Sequence, residues 1–450
     1  MPYEGEYAHY QPLKRIVESE RVQQLLRRSR VLNASTTTQR ATPKTPPNAD
    51  PTVASLVVAI DGSHAEVDVK NGYPGAKVGY CSVASVVVNL AEVERLDNQR
   101  PVNPVDFRRT EAPSSDASAM PGCNVITRDH ISAKDSFREA VFELLHDAIV
   151  DEEDSTRLLA TYQTLLDFKP PGTIACPYSH LGCNRDVTVT ANLTTCSCEL
   201  RKPLYPTDAL RIHERFNDDA GTNGEAFGYV MSVWERLLLI HLLRCFEQRG
   251  WIDRLQTIAF FLDGPLAIFG PPAWLSAAIS RELHRLNELF RGRVSNDLVI
   301  VGIEKSGNFV AHFEEIDKQE DGSQFFPPGS YFLPTDSYIK ERVIFSDSLK
   351  RYGADTYFGR KFFYKTKSGA RIVANIPFLN SQQDSLVSDD PSPYPRFGTV
   401  CTLLDKLVTS RFPNALAPIV SAHAQSAIPL HLGQKVLKQL AQALMRQSGS

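Results

Sequence analysis

Ser55-Leu-Val-Val-Ala-Ile-Asp61-Gly-Ser63 and Thr257-Ile-Ala-Phe-Phe-Leu-Asp263-Gly-Pro-Leu266 decide the fold class of this chain. Each is an apolar run that closes on Asp-Gly, and each predicts a buried strand. Each strand delivers one carboxylate to the edge of a sheet, where glycine lets a ligand approach the backbone closely. Two carboxylates from neighbouring strands offer the hard oxygen ligands that divalent metals take. That is the outline of a metal-dependent site for phosphodiester cleavage. Asp-Gly is also a routine turn, so the weight rests on finding the pattern twice.

The bulk numbers set the frame. At 450 residues the chain exceeds one comfortable core. An apolar content of 42% and a charged content of 22% are those of a soluble globular protein. No stretch approaches the roughly 20 apolar residues of a membrane span, and the start, Met1-Pro-Tyr-Glu-Gly-Glu, does not read as a secretory signal. The expectation is a cytoplasmic protein with no membrane contact. Asn33 and Asn192 then match the glycosylation pattern only by chance. The net charge of −3 argues against indiscriminate nucleic-acid binding, so DNA contact needs a local basic patch or a partner that delivers the substrate.

Along the chain, residues 12–32 predict a basic helical stretch with Leu13, Ile16, Val17, Val22, Leu25 and Leu26 on one side, packed on the body or serving as a partner-binding arm. Residues 33–51 read as a flexible linker. After the strand at 55–60, residues 64–77 predict a hairpin or loop, and Val78 to Leu90 a long strand. The polar 97–122 segment predicts a surface excursion. Helices are expected at 134–149, 152–167, 225–248 and 273–290, and strands at 256–262 and 297–303. Residues 321–328 read as loop, 357–366 with 370–377 as a hairpin turning at Lys367-Ser-Gly, and two helical segments close the chain. The whole reads as an α/β protein, a mixed sheet with helices on its faces. Its units are an arm and linker at 1–51, the first part of a core at 52–169, a Cys-rich insertion at 170–203, and the rest of the core with closing helices at 204–450.

The 225–248 helix carries a misfit. Phe227, Met231, Glu235, Leu238, Leu239, Leu242 and Phe246 fall on one face at helical spacing, and Glu235 is the one charge in that stripe. A buried carboxylate is costly unless it is paired or metal-bound. An ion pair with a distant Arg is the bland alternative; with Asp61 and Asp263 nearby, the metal-ligand reading is favoured. Strand Asp, helix Glu, strand Asp is the carboxylate arrangement of ribonuclease-H-like nucleases, in which two metal ions activate water and stabilise the leaving oxygen. No Walker-type phosphate loop and no Gly-x-Ser-x-Gly elbow is present, which disfavours ATP hydrolysis and Ser-His-Asp chemistry. An actin-like or sugar-kinase ATPase shares the strand-Asp-Gly start but needs Gly-rich loops that are missing.

Cys176, Cys183, Cys196 and Cys198 cluster within the insertion, and four cysteines so placed in a reduced protein point to structural zinc. Unbridged thiols in a hairpin insertion are the alternative. Cys81, Cys123, Cys245 and Cys401 read as reduced, buried residues. Lys305 could reach a phosphate from the end of the 297–303 strand, or be a solvated charge. His423, in a small-residue context, reads by itself as structural.

Together, Val57-Val-Ala-Ile-Asp-Gly-Ser63, Leu204-Tyr-Pro-Thr-Asp-Ala-Leu-Arg-Ile-His-Glu214, Val233-Trp-Glu-Arg-Leu237, Phe261-Leu-Asp-Gly-Pro-Leu-Ala-Ile-Phe-Gly270, Val301-Gly-Ile-Glu-Lys-Ser-Gly307, Tyr357-Phe-Gly-Arg-Lys-Phe-Phe-Tyr364 and Ser421-Ala-His423 resemble the NurA family of DNA nucleases, over about residues 52–435. The resemblance implies a ribonuclease-H-like core, a homodimer, and Mn²⁺-dependent (or Mg²⁺-dependent) endo- and exonuclease activity on DNA. It also implies partnership with the hexameric HerA translocase in DNA end resection and repair or antiphage defence. Asp61, Glu235 and Asp263 would be metal ligands, and His423 would complete the metal site or assist proton transfer. The aromatic that the family places some eight residues before that His falls here near Ala415. Its absence supports a contrasting reading, an adaptor subunit that keeps the fold with weak or no catalysis.

Overall fold

The computed structural model describes residues 10–29, 40–50, 54–70, 75–95, 111–127, 129–148, 156–198, 201–380, 383, 386–408, 416–428 and 435–442. Eight strands form one mixed sheet: β1 (Leu56–Lys70), β2 (Ala76–Asn89), β3 (Glu111–Pro121), β4 (Ile258–Asp263), β5 (Val299–Glu304), β6 (Ser330–Phe332), β7 (Gly359–Lys365) and β8 (Arg371–Pro377). Their spatial order is β6-β7-β8-β5-β4-β1-β2-β3. β4 runs parallel to both β1 and β5, and the other neighbours pair antiparallel.

Both faces of this sheet are covered, which is why its central strands read as continuous apolar runs instead of alternating ones. On one face, Val58, Ile60, Phe260, Leu262 and Ile300 pack with four helices: α1 (Ala133–Asp147), α2 (Leu158–Leu166), α3 (Gly224–Gln248) and α4 (Leu275–Val294). On the other, Val57, Ala59, Ala259, Phe261 and Val301 pack with α5 (Phe397–Leu407) and α6 (Ala417–Ser426). Each Val, Ile, Leu or Phe among them contributes about 1.5–3 kcal/mol on burial. α3 is long and apolar enough to cross a membrane by length and composition, contrary to the expectation that no stretch approaches a span; 72% of its apolar window is buried inside the fold, which marks it as a core helix.

The structure departs from the sequence reading in several places. β1 does not end at Asp61-Gly62. It continues to Lys70, with Asp61 opposite Ala84 and Gly62 opposite Val83 in a hairpin with β2 whose register shifts between Asp68 and Lys70, so of the hairpin or loop expected from 64 onward the structure shows the hairpin, with 64–70 as strand. The polar 97–122 segment contains β3, an edge strand whose Ser114, Ser115 and Asp116 are exposed. Polar edge strands suit a border that must not recruit further strands.

The N-terminal stretch forms two helices, Tyr10–Glu18 and Glu20–Arg28, separated at Ser19; Leu13, Ile16, Val17, Leu25 and Leu26 are all exposed. Residues 30–39, including Asn33 and the first part of the expected linker (33–39), lie outside the described residues. Residues 40–50 follow the body closely. Lys44 and Tyr331 exchange backbone hydrogen bonds of 2.8 Å each, extending β6, and the Asn296 amide donates to Asp50 at 2.9 Å.

Candidate metal-binding active site

The site sits where β4 ends beside β1. The last parallel pairing is Ile60 with Leu262, so Asp61 and Asp263 are the next residues along two adjacent strands. Successive side chains on a strand point to opposite faces. Asp61 therefore shares the side of Val57 and Ala59, and Asp263 that of Ala259 and Phe261, which is the side covered by α6. His423 on α6 meets them there: its Nδ1 lies 2.8 Å from Asp61 Oδ2. Ligand atoms of Asp61, Asp263 and His423 all lie within 4.8 Å of one another. Three residues separated by 202 and 160 positions along the chain thus converge on one point.

Glu235 approaches from the opposite face. It is 3% exposed on α3, and a Cβ placed on Gly62 would lie 2.8 Å from its Oε1 and 2.8 Å from Met231 Cγ. Glycine at 62 is what lets the helix bring this carboxylate to the sheet. Glu235 completes no three-ligand cluster with Asp61 and Asp263. Its carboxylate instead accepts from Arg236, the next residue in the chain, whose Nη2 also donates to Pro265 O at 3.1 Å. The ion pair weighed as the alternative for Glu235 is thus present, with an adjacent Arg in place of a distant one. Lys305 donates to Asp263 Oδ2 at 2.8 Å.

Electrostatics follow from this crowding. Burial, and then the neighbouring Asp263 carboxylate, push the Asp61 carboxyl up from 3.8 to about 6, against the pull of Lys305 and His423. Burial lowers the Arg236 guanidinium to about 10, despite the opposing attraction of Asp263 and Asp61. Two acids forced together in this way make a site that gains from a multivalent cation.

A cleft of about 630 Å³ opens over these groups. Its far wall holds residues that the sequence reading did not single out. Glu304, the last residue of β5, accepts from Lys361 and, at 2.7 Å, from the Asn375 amide. Burial lowers the Lys361 ammonium, with Glu304 opposing, and its Nζ lies 4.3 Å from the centre of the Phe309 ring and 4.7 Å from that of Tyr357. Glu304 lies directly before Lys305, and Lys361 lies in Tyr357-Phe-Gly-Arg-Lys-Phe-Phe-Tyr364. Glu304 closes the apolar run Val299–Ile303, and that was its available signal; Lys361 shares its strand with Arg360 and Lys365, so no lone charge marked it. Ala415 lies outside the described residues. The four clustered cysteines stand apart from this cleft, packed with Ile174, Tyr178, Val187 and Leu204.

A family model described as NurA domain matches residues 55–428. Among solved structures, the NurA nuclease from Sulfolobus solfataricus shares 9% identity over 90% of this chain and 88% of its own, with a TM-score of 0.34. Another, described as NurA, shares 10% identity over 96% of this chain and 97% of its own, with a TM-score of 0.29. No curated protein matches the chain.

Proposed function

Since the chain belongs to the NurA domain family, we propose that it is a divalent-metal-dependent DNA nuclease. The observation that carries this reading is the convergence of Asp61, Asp263 and His423 within 4.8 Å. Two carboxylates and an imidazole are a donor set that suits Mn²⁺ or Mg²⁺, with carboxylate preferred by both ions. Asp61, Asp263 and His423 would hold the metal, and Glu235 stands ready across Gly62 to add a carboxylate for a second one. When bound, such ions supply Lewis acidity and a lowered pKa for an attacking water.

The chain's own groups do the rest. Asp61 meets the His423 ring at Nδ1; where the two aspartates hold the ion without the imidazole, His423, whose side chain is 57% exposed, is placed instead to take a proton from water. Lys305 and Arg236 place positive charge beside the carboxylates, where a scissile phosphate brings negative charge. Lys361, on the far wall, adds a third cation. Glu235, now paired with Arg236, would serve a metal, and Lys305, now paired with Asp263, would serve a phosphate.

We extend the reading to a ribonuclease-H-like core, supported by the order β3-β2-β1-β4-β5 with an antiparallel meander followed by two parallel strands. The core spans 52–169 and 204–450, interrupted by the Cys-rich insertion. We further propose a homodimer that works in the cytoplasm with a HerA-like hexameric ATPase, in DNA end processing, repair or antiphage defence, as both endo- and exonuclease. The resemblance of the motifs supports this, and the net charge of −3 fits a nuclease fed by a motor.

A second reading, an adaptor with the nuclease fold, has one observation in its favour. Asp263 and Glu235 are each already neutralised by a cation of the chain itself. Cleavage of labelled linear duplex and single-stranded DNA with Mn²⁺ decides between them, comparing the wild type with Asp61→Ala and Glu235→Ala, with and without the ATPase. Metal-dependent cutting lost in both variants supports the nuclease. No cutting by folded protein, together with no Mn²⁺ affinity, supports the adaptor.

A further inference from the structure

The Cys-rich segment forms two small hairpins outside the cleft. Ile174–Ala175 pairs with Asp186–Val187, and Thr194–Thr195 pairs with Pro203–Leu204. Each hairpin carries two cysteines. We propose that Cys176, Cys183, Cys196 and Cys198 together bind one structural Zn²⁺ that fastens the two hairpins to each other.

The geometry supports this in three ways. Cys196 Sγ lies 3.4 Å from Cys176 Sγ and 3.9 Å from Cys183 Sγ, and all three sulfurs lie within 4.8 Å of one another. Tetrahedral zinc with bonds of about 2.3 Å spaces its sulfurs about 3.8 Å apart. The backbone N–H of Tyr178 donates to the Cys176 sulfur, and that of Cys198 to the Cys196 sulfur. In both hairpins, then, a cysteine sulfur accepts from the amide two residues on.

The fourth ligand is Cys198 and not His180. The Cys198 thiol is buried and hydrogen-bonded to Cys196. Both His180 ring nitrogens are engaged elsewhere, Nε2 with Ser132 Oγ and Nδ1 with Pro177 O, each at 3.1 Å. Four thiolates around Zn²⁺ leave a net negative charge, and Arg185 sits against it, donating from Nη1 to Ser197 O at 3.0 Å between the last two cysteines.

A segment of about 30 residues with so few apolar side chains needs a staple of this kind. The staple also serves its surroundings. Tyr178 Oη and Arg138 Nη2 both donate to Pro203 O, at 2.9 and 3.1 Å, and Arg138 makes a two-pronged contact with Asp208, each bond 2.7 Å. Closing the hairpins therefore fixes α1 to the stretch that leads into the 204–214 motif. A site closed by four sulfurs has no place for water, so its role is structural.

The test is elemental analysis of the full chain purified without chelators, with thiol titration by a mercurial that reports released zinc. One zinc per chain is expected, retained in Asp61→Asn and in His180→Ala, and lost in Cys176→Ser and Cys196→Ser. In the wild type, four thiols should react in step with zinc release, which makes the count independent of whether the cysteine variants fold. Substoichiometric zinc, a Cys176–Cys196 disulfide in protein kept under reductant, or zinc lost in His180→Ala but kept in Cys198→Ser would each overturn the proposal. Zinc that leaves with Asp61→Asn would place the ion in the cleft instead, and would overturn it too.

Discussion

At the scale of single residues, Asp61 is held in a state that the protein alone does not favour. A carboxyl whose folded pKa is raised stabilises the fold below its unfolded value of 3.8 and loses that stabilisation as pH climbs through about 6. Above that window the buried charge opposes folding by about 3 kcal/mol. In metal-free protein, Asp61→Asn should therefore raise the melting temperature near neutral pH by several degrees and change it little at about pH 4. The same variant should lose cleavage and the thermal gain from Mn²⁺. Melting curves in EDTA and in Mn²⁺ across pH check both; an Asn variant that melts lower at neutral pH contradicts the reading. Protons and metal compete for this carboxylate, so cleavage by the wild type should fall below about pH 6 and recover with added metal. Both aspartates were legible because each closes an apolar run. Arg236, Glu304 and Lys361 were not singled out, since a sequence alone does not say which interior charges share a wall.

At the scale of elements, the site depends on how closely α3 lies on β1. Gly62 has no side chain, and the space a methyl would fill is taken by Glu235 and Met231. Gly62→Ala should cost about 1–3 kcal/mol through overpacking and should displace the Glu235 carboxylate. Denaturant unfolding would read the first effect and Mn²⁺-dependent cleavage the second; a variant with unchanged stability and activity would refute the close approach. The sequence reading took Asp61-Gly62 for a turn, and that is where local chemistry misled. Asp-Gly marks turns because glycine tolerates unusual backbone angles. Here the glycine serves packing in an extended strand, whereas Gly264, with φ of +84°, does make the turn expected of it. The exposed face of β3 hid its strand character in the same way, because an edge strand's composition resembles that of a loop.

At the scale of the whole molecule, α1 to α4, the central strands and the β7–β8 hairpin followed from apolar periodicity, whereas the short helices Asn308–Ile316 and Asp336–Arg342 and the sheet order did not, since pairing β1 with β4 joins Leu56 to Ile258, about 200 residues on. The charge balance carries the prediction that belongs here. A chain of net charge −3 has few cations to spare for phosphates, so alone it should bind non-specific duplex no more tightly than about 1 μM at physiological salt. Fluorescence anisotropy in EDTA would measure this, and nanomolar affinity would argue against delivery by a motor.

The separation of the site's residues along the chain also bears on when the cleft comes into being. Asp61 and His423 are 362 positions apart and 2.8 Å apart in space, and contacts of such long sequence separation form slowly during folding. A nascent chain that has not reached residue 423 holds both aspartates without the imidazole. The three-donor cluster therefore exists only once residue 423 is in place.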